Sequence, residues 1–593
     1  MTNPGIFVII VLYMLAVVGI GVYFYKRSKK SSENYFLGGR SLGPWVTAMS
    51  AEASDMSGWL LMGLPGVAYW CGLADAFWTA LGLAIGTYVN WLVIAKRLRN
   101  YSQIAGNSIT VPDFFSNRFK EKKKVIMGIA STFILVFFTV YAASCFVTCG
   151  KLFSTLFGWD YHVMLIVGAV FVVAYTLIGG FLAESVSDFM QAIVMIVALI
   201  IVIVVGVINA GGFSAVFENA KAIPGYFSLD SLANPIVYNG IDAEFLSGSQ
   251  IISEGIYLFD GKYYALLENA HSLVGVDQSL IFNYEIVKEG VYLFNGNYYT
   301  SIGKLVGQQV VSGGASLFGT ASPYGVINMF SMLAWGLGYF GMPQVLLRFM
   351  AIRKTSEIRR SRTIATSWCV ISLIAAVLIG IIGRTLLPVN ETLGSKTGAE
   401  KILIEFSTKY LPLVIAGLIM AGILAATISS SDSYLLIASS AVSVNLYKGI
   451  IKKGKEVSEK KVLLVSRIVL IAIAIIGVII AWDENSVIFN IVSFAWSGFG
   501  ATFGPIMIFS LFWKRTTKEG AIAGMLTGGA MVFIWKLVLN KFLSATMPIF
   551  GIYELLPAFI LSCVAIVVVS LLTKAPEKEI QEEFEKAKTF IEA

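Results

Sequence analysis

A carboxylate, Asp55, stands in the run Ser50-Ala-Glu-Ala-Ser-Asp-Met-Ser-Gly-Trp-Leu-Leu-Met-Gly-Leu-Pro-Gly66, between stretches of membrane-type apolar sequence. A charge at membrane depth costs about 3 kcal/mol or more on insertion scales, and it usually marks an ion or solute path. Ser54, Ser57 and Gly58 beside it are poor helix formers. Backbone carbonyls there are left free to face a ligand. The pattern describes a helix interrupted where binding is needed.

Two further clusters have the same character. Trp335-Gly-Leu-Gly-Tyr-Phe-Gly-Met-Pro343 sets three glycines and a proline in the middle of an apolar stretch. Such backbone is tolerated at membrane depth only where it is buried in protein or lines a cavity. In Ala425-Ala-Thr-Ile-Ser-Ser-Ser-Asp-Ser433, the residues Ala426, Ser429 and Ser430 fall at i, i+3 and i+4, on one helix face. Hydroxyl and carbonyl oxygens are what a hard monovalent cation needs in place of water, about five or six of them. A serine in a membrane helix can also bond back to its own backbone. That explanation suffices for one serine and not for five hydroxyls beside Asp432. A kinked packing helix would explain either interrupted segment alone, and explains the pair less well.

The elements that must position these residues are membrane spans. The chain has 593 residues, is 57% hydrophobic and only 13% charged, with a mean hydropathy of +0.77. These values describe an all-α polytopic membrane protein. Thirteen stretches are long enough to cross. They are Gly5–Tyr25, Ser41–Trp70, Ala76–Ala95, Val125–Gly150, Tyr161–Ala183, Phe189–Gly211, Pro323–Leu347, Thr363–Gly383, Tyr410–Tyr447, Leu463–Trp482, Ser486–Trp513, Ala521–Leu539 and Leu555–Thr573. Residues 1–211 then carry spans 1–6, 212–322 a polar insert, 323–573 spans 7–13, and 574–593 a tail.

The two interrupted stretches are spans 2 and 7. Five is odd, so they run in opposite directions. Paired broken spans at corresponding places in inverted halves are the best sequence pointer to a transporter's binding site. Spans 2–6 and 7–11 form the expected inverted five-plus-five core, with spans 1, 12 and 13 at its periphery.

Charge sets the orientation. Lys26–Lys30, Lys96–Lys124, Arg348–Arg362, Lys448–Lys461 and Lys514–Lys518 are rich in Lys and Arg and fall on alternate sides of the span list. The positive-inside rule makes these loops cytoplasmic. The N-terminus and the insert are then outside the cell and the C-terminal tail inside. The net charge of +8 is therefore a topology signal, not a sign of nucleic-acid binding. Gly5–Tyr25 reads as a retained first span rather than a leader, because no basic residue precedes it. The five cysteines have no metal-ligand spacing and read as packing thiols. Two histidines, no nucleotide-binding loop and no metal motif argue against an enzyme. The short tail Lys574–Ala593 argues against a sensor with an attached kinase or receiver domain. Paired broken helices favour occlusion over the continuous pore of a channel.

The insert repeats itself 35 residues apart, as Glu254-Gly-Ile-Tyr-Leu-Phe-Asp-Gly-Lys-Tyr-Tyr264 and Glu289-Gly-Val-Tyr-Leu-Phe-Asn-Gly-Asn-Tyr-Tyr299. Asp-Gly and Asn-Gly between β-prone runs are strong hairpin signals. Two hairpins in a small β-rich extracellular module are expected, either a tolerated insertion dispensable for transport or an external lid or contact surface.

The chain resembles the sodium/solute symporter family, and within it the proline-carrying members. The likeness rests on Gly38-Gly-Arg-Ser-Leu-Gly-Pro44, Ala53-Ser-Asp-Met-Ser-Gly-Trp-Leu-Leu-Met-Gly-Leu-Pro-Gly66, Ile178-Gly-Gly-Phe-Leu-Ala183, Trp335-Gly-Leu-Gly-Tyr-Phe-Gly341 and Ile423-Leu-Ala-Ala426, and it covers everything except the insert. It implies the LeuT-like five-plus-five fold and Na+-coupled uptake of L-proline through the cell membrane by alternating access. A monomer in the lipid bilayer is the expectation for the working unit, which the sequence leaves open. Another amino acid or a betaine-type osmolyte is the alternative solute.

Carried over residue by residue, the main Na+ site falls on Ala53, Met56 and Ala426 through backbone oxygens and on Ser429 and Ser430 through hydroxyls, with Asp55 assisting. Ser-Ser here replaces Ser-Thr in proline-carrying members. The solute pocket falls on Ser57, Trp59, Tyr141, Trp335, Tyr339 and Pro343, and Arg40 on a position linked to Na+ coupling. A possible second Na+ place falls on Asp188, which opens span 6, with Asp432 and Ser433. The competing reading turns Asp432 toward cytoplasmic water or a lysine of Lys448–Lys461 and makes Asp188 a helix cap. Glu52 and Asp432 depart from the family pattern, and Glu52 is read as facing a water-filled vestibule.

Overall fold

The computed structural model of the chain describes residues 4–28, 32–221, 223, 225–233, 321–387, 392–452 and 455–589, together with seven short strands between 250 and 312. Nine helices among the described residues are long and apolar enough to cross a membrane. They are Leu73–Val93, Val125–Phe157, Gly180–Asn209, Thr355–Leu386, Leu413–Ile451, Glu459–Ile480, Ile488–Phe512, Lys518–Leu543 and Leu555–Leu572. Shorter apolar helices cover Gly5–Ile20, Trp59–Cys71 and Tyr161–Leu177. The two interrupted stretches are broken as their composition predicts. Pro44–Asp55 is separated from Trp59–Cys71 by a non-helical Met56 (φ −83°, ψ 75°). Trp335–Gly338 is separated from Pro343–Ala351, which starts on an extended Met342 with proline at its first position.

Three boundaries differ from the sequence reading. The sixth span does not begin at Phe189. Tyr161–Asn209 breaks at Gly180 (φ 69°, ψ 174°), a conformation glycine adopts without strain, and the helix then runs unbroken through Glu184 and Asp188. Asp188 is therefore neither the opening of a span nor a cap. Nor is Arg348 a loop cation. It lies inside the half-helix Pro343–Ala351 and is wholly buried. Glu52, finally, does not face a vestibule. It is buried, and its Oε1 accepts a hydrogen bond from Thr87 on Leu73–Val93 at 3.1 Å. In each case a partner inside the bundle bonds a polar group that hydropathy alone assigns to water, although one oxygen each of Glu52 and Asp188 is buried without a partner among the described residues.

Helices approach closely where both lack side chains. Gly82 and Gly86 of Leu73–Val93 meet Gly336 of the second broken helix, and a methyl group added at Gly336 would fall 2.2 Å from the Gly82 carbonyl oxygen. Small residues are how membrane helices reach such contact. A second tie is a buried ion pair, Lys151 Nζ to Glu400 Oε2 at 2.7 Å. The Glu400 carboxylate also accepts the backbone N–H groups of Ile488 and Phe489, both at 3.0 Å. It thereby supplies donors' partners at the start of Ile488–Phe512, whose first N–H groups have none within the helix.

In the insert, Gln250–Ser253, Ile256–Phe259 and Lys262–Ala265 form one antiparallel sheet, and Tyr284–Lys288, Val291–Phe294, Asn297–Thr300 and Val311–Ser312 another. The repeated strands pair in the same register, Phe259 with Lys262 and Phe294 with Asn297. The turn residues Asp260, Gly261, Asn295 and Gly296 lie outside the described residues. The base of the insert is a separate strand pair, Ser231–Leu232 with Ser322–Pro323.

Replacing Gly336 by alanine should lower the melting temperature by several degrees. Overpacking of about 1–3 kcal/mol is expected at a backbone contact that cannot relax. Thermal melting followed by size-exclusion chromatography measures it, and Gly19, which has open space around it, is the control position for the same change.

Candidate cation and solute site

The site begins with one displaced hydrogen bond. In an unbroken helix the N–H of Ser57 would bond to the carbonyl of Ala53; here it bonds to Asp55 O at 3.0 Å. Met56 still donates to Glu52 O at 2.8 Å, so the ladder fails at Ala53. The freed Ala53 oxygen is met by two hydroxyls from Leu413–Ser440, Ser429 Oγ at 2.8 Å and Ser430 Oγ at 3.2 Å. Ser429 Oγ also lies 3.2 Å from Ala426 O. Four oxygens of the expected set thus converge in a place closed to solvent, and Met56 lies at the break itself. Hydroxyls that donate to a carbonyl here can rotate to present lone pairs to a cation, so the donor set suits a hard ion.

Asp55 joins the two breaks. Its Oδ2 accepts from Tyr339 Oη at 2.9 Å, and its Oδ1 lies 3.5 Å from Gln344 Nε2. Its backbone oxygen takes Trp59 Nε1 at 3.1 Å. The carbonyls freed in the second break are also satisfied by neighbouring side chains. Asn90 Nδ2 donates to Tyr339 O at 2.9 Å, and Trp496 Nε1 to Trp335 O at 2.8 Å.

Aromatic rings close over this junction. Trp335 packs at 6.0 Å from Trp59, 5.2 Å from Phe489, 5.8 Å from Trp496 and 5.2 Å from Tyr553. Tyr339 stands edge-on to Trp496, and Tyr141 stacks on Tyr434 at 4.2 Å. The hydroxyl of Ser57 is buried without a hydrogen-bond partner among the described residues, so polar capacity is left at the break. Above Trp335 a cavity of about 390 Å³ opens between Trp70, Asp75, Lys396, Glu400, Asn490 and Tyr553. Pro343 is not part of the aromatic group. It lines a small separate cavity with Phe36, Thr110, Ile134 and Leu436.

Asp188, Asp432 and Ser433 are also brought together, around Arg348. The guanidinium donates to Asp188 Oδ2 at 3.1 Å, Ser433 Oγ at 2.9 Å, Ser50 Oγ at 3.0 Å and Glu184 Oε1. Asp432 is buried, with Oδ1 on the backbone N–H of Ser433 at 2.8 Å, so it faces neither water nor a loop lysine. Arg40 lies apart from this cluster. It bonds Asn107 Oδ1 at 3.2 Å, Ser102 Oγ at 3.1 Å, Ser108 O at 2.8 Å and Met350 O at 2.6 Å, tying the loop before Pro44 to the end of Pro343–Ala351.

The chain matches the sodium:solute symporter family over residues 35–257 and 303–528. It belongs to that family. It is 34% identical to the sodium/proline symporters of Staphylococcus aureus strains USA300 and NCTC 8325, over 99% of this chain and 97% of theirs. Among solved structures it shares its fold with a Na+-coupled sialic acid symporter in a substrate-bound outward-open state, with a TM-score of 0.66 and 17% identity over 97% of this chain and 99% of that one. This symporter is a multi-pass membrane transporter, not an enzyme, and it couples a small-molecule solute to Na+.

Sequence reasoning missed Arg348, Glu184, Gln344 and Tyr434. Two signals were available. Pro343 starts a helix, which puts Arg348 little more than a turn inside it. Glu184 and Asp188 stand four apart, hence on one helix face.

Replacing both Ser429 and Ser430 by alanine should weaken Na+ binding at least tenfold, about 1.4 kcal/mol. The Na+-induced rise in melting temperature should then vanish while melting in KCl shifts only slightly. A full Na+ response in the double variant would remove these hydroxyls from the site.

Proposed function

We propose that this symporter takes up L-proline with Na+ by alternating access, through thirteen spans with an inverted five-plus-five core. On this reading the basic loops and the C-terminus are cytoplasmic, and the N-terminus and insert lie outside, as the positive-inside rule requires. The observation that carries it is the junction itself, where Asp55 bonds Tyr339 and the freed Ala53 carbonyl meets Ser429, beside the ring pairs Trp59–Trp335 and Tyr141–Tyr434. Na+ is held by oxygens of Ala53, Met56, Ala426, Ser429 and Ser430, with Asp55 supplying negative charge nearby. The solute's apolar ring packs against Trp59, Trp335 and Tyr141. Ser57 and Tyr339 take its polar end, and Pro343 begins the half-helix whose N-terminus favours a carboxylate. Arg40 couples the ends of the two broken helices through Met350 O. The 34% identity to proteins named sodium/proline symporters supports proline over other small solutes.

Met56 and Ser57 are adjacent in one interrupted segment, so the free energies of cation and solute binding are linked reciprocally. L-Proline should raise the melting temperature in NaCl and not in equal KCl, and radiolabelled proline should exchange by counterflow in proteoliposomes. Equal stabilisation in both salts defeats the coupling. Competition by betaines or other amino acids in preference to proline would change the solute and keep the mechanism.

A second cation place beside Arg348 has one observation in its favour. Asp188 Oδ1 and Asp432 Oδ2 are buried without hydrogen-bond partners among the described residues, and one guanidinium faces three carboxylates. A Na+ bound there predicts a Hill coefficient above one for Na+-dependent uptake, falling to one in Asp432→Asn with transport retained. A wild-type coefficient of one, with one charge moved per solute, leaves Arg348 as the only cation of the cluster.

A further inference from the structure

The insert meets the bundle at the outer end of the first broken helix. The half-helix Leu64–Cys71 ends at Gly72, whose φ of 85° suits glycine. The last carbonyls of a helix lack partners within it, and the insert's base serves this end: the Ala233 N–H donates to Cys71 O at 3.1 Å, and Tyr226 Oη adds a second donor at 2.7 Å to Ala68 O, which also accepts the Gly72 N–H at 3.2 Å. In return Tyr226 O accepts the Leu73 N–H at 2.7 Å, and Leu229 O accepts Trp78 Nε1 at 2.9 Å. The fit leaves no slack, since a methyl group at Gly72 would fall 2.7 Å from Tyr226 O.

The two ends of the insert are themselves joined. Ser231 pairs with Pro323 and Leu232 with Ser322, and the Tyr324 N–H bonds to Asp230 O at 2.8 Å. Leu232, Ala233 and Ser322 line the cavity above Trp335, together with Trp70 and Cys71. The base of the insert is thus both the cap of the half-helix that begins at the solute site and part of the wall of the approach to it.

We propose that residues 225–233 and 321–324 form a clasp that positions the outer half of the first broken helix for solute binding, so that Tyr226 and Ala233 are positioning residues for transport. On this proposal a replacement that reaches into residues 228–233 costs transport. Only residues 234–320 are expendable, because the clasp closes without them through its own strand pair. The clasp acts on Ser57 and Trp59, which begin the outer half. Of the cation set, Ala53 lies on the inner half Pro44–Asp55 and Ala426, Ser429 and Ser430 on another helix, and only Met56 adjoins the outer half, so the solute should respond more than the cation.

The inference rests on the transport reading, and its test separates the two. Tyr226→Phe keeps the buried ring and removes only the bond to Ala68 O. In this variant the solute concentration for half-maximal uptake should rise about three- to tenfold, as loss of one buried hydrogen bond implies, while the Na+-induced thermal shift stays as in the wild type. The native thiol of Cys71, half-buried on the cavity wall, gives a solute-free measurement. Its reaction with a membrane-impermeant maleimide, in a Cys563→Ala background, should speed several-fold in Tyr226→Phe in NaCl and in KCl alike. Replacing 234–320 with a short Gly/Ser linker should leave both readouts at wild-type values. Unchanged half-saturation, unchanged labelling, or a trimmed chain that behaves like Tyr226→Phe would each overturn the clasp. If the wild type takes up no proline, the transport reading fails, and the labelling rate decides the clasp alone.

Discussion

A single backbone carbonyl without its helical donor organises this molecule. Once the Ser57 N–H turns to Asp55 O, the Ala53 oxygen must find another partner at membrane depth, where an unsatisfied carbonyl costs several kcal/mol. Ser429 and Ser430 provide it, which fixes how Leu413–Ser440 lies against the first broken helix. The same need recurs in the second break, where Asn90 and Trp496 serve Tyr339 O and Trp335 O. Each break is therefore held by side chains from helices that are themselves continuous. Two weak helices are made rigid by strong neighbours, and the oxygens that suit a cation arise from the same geometry.

The buried charges follow a second constraint. Removing one partner from a buried ion pair costs about 3–5 kcal/mol, because the other charge is left desolvated. Arg348 draws on four elements at once: Ser50 from the first broken helix, Glu184 and Asp188 from Gly180–Asn209, Ser433 from Leu413–Ser440, and the Gln344 carbonyl on its own half-helix. It bolts both half-helices on the basic-loop side to the surrounding bundle. Lys151 and Glu400 form a smaller bolt on the opposite side, between Val125–Phe157 and the loop leading to Ile402–Tyr410.

What the sequence made legible was local, and what it hid was tertiary. The broken helices could be read because glycine, serine and proline at membrane depth have few explanations, and the serine face because i, i+3 and i+4 spacing fixes direction. The partnership of Asp55 with Tyr339 had no such signature, since their contact spans 284 residues. Hydropathy assigns Arg348 to a loop because it counts a buried, bonded guanidinium and a solvated one alike. It places Asp188 at a helix mouth for the same reason. The resemblance assigns Tyr141 to the pocket but gives no sign of its stack on Tyr434, which follows the serine cluster on a face that the serines do not define. The resemblance assigns Pro343 to the pocket; in the structure it starts a helix and lines a small cavity apart from the aromatic rings.

The ties on the two sides of the membrane differ in kind, and the difference bears on the transport cycle. On the basic-loop side the half-helices Pro44–Asp55 and Pro343–Ala351 are held by guanidinium groups, Arg348 inside the bundle and Arg40 at its edge. On the other side Leu64–Cys71 is held by neutral hydrogen bonds to Tyr226 and Ala233, each about half as strong as a charge-assisted one. Charge-assisted ties resist opening more than neutral ones, and the cavity above Trp335 lies on the side held by neutral bonds. Opening the other way requires loosening Arg348 from Asp188, Glu184 and Ser433. A ligand shifts such an equilibrium only by its differential affinity for the two states. On the proposed reading, Na+ at Ala53 and Ser429 bears on the first broken helix and on the helix that carries Ser433, and a solute between Trp59 and Trp335 bears on the two broken helices. Neither touches Gly180–Asn209, so the arm from Arg348 to Glu184 and Asp188 must yield through the other three.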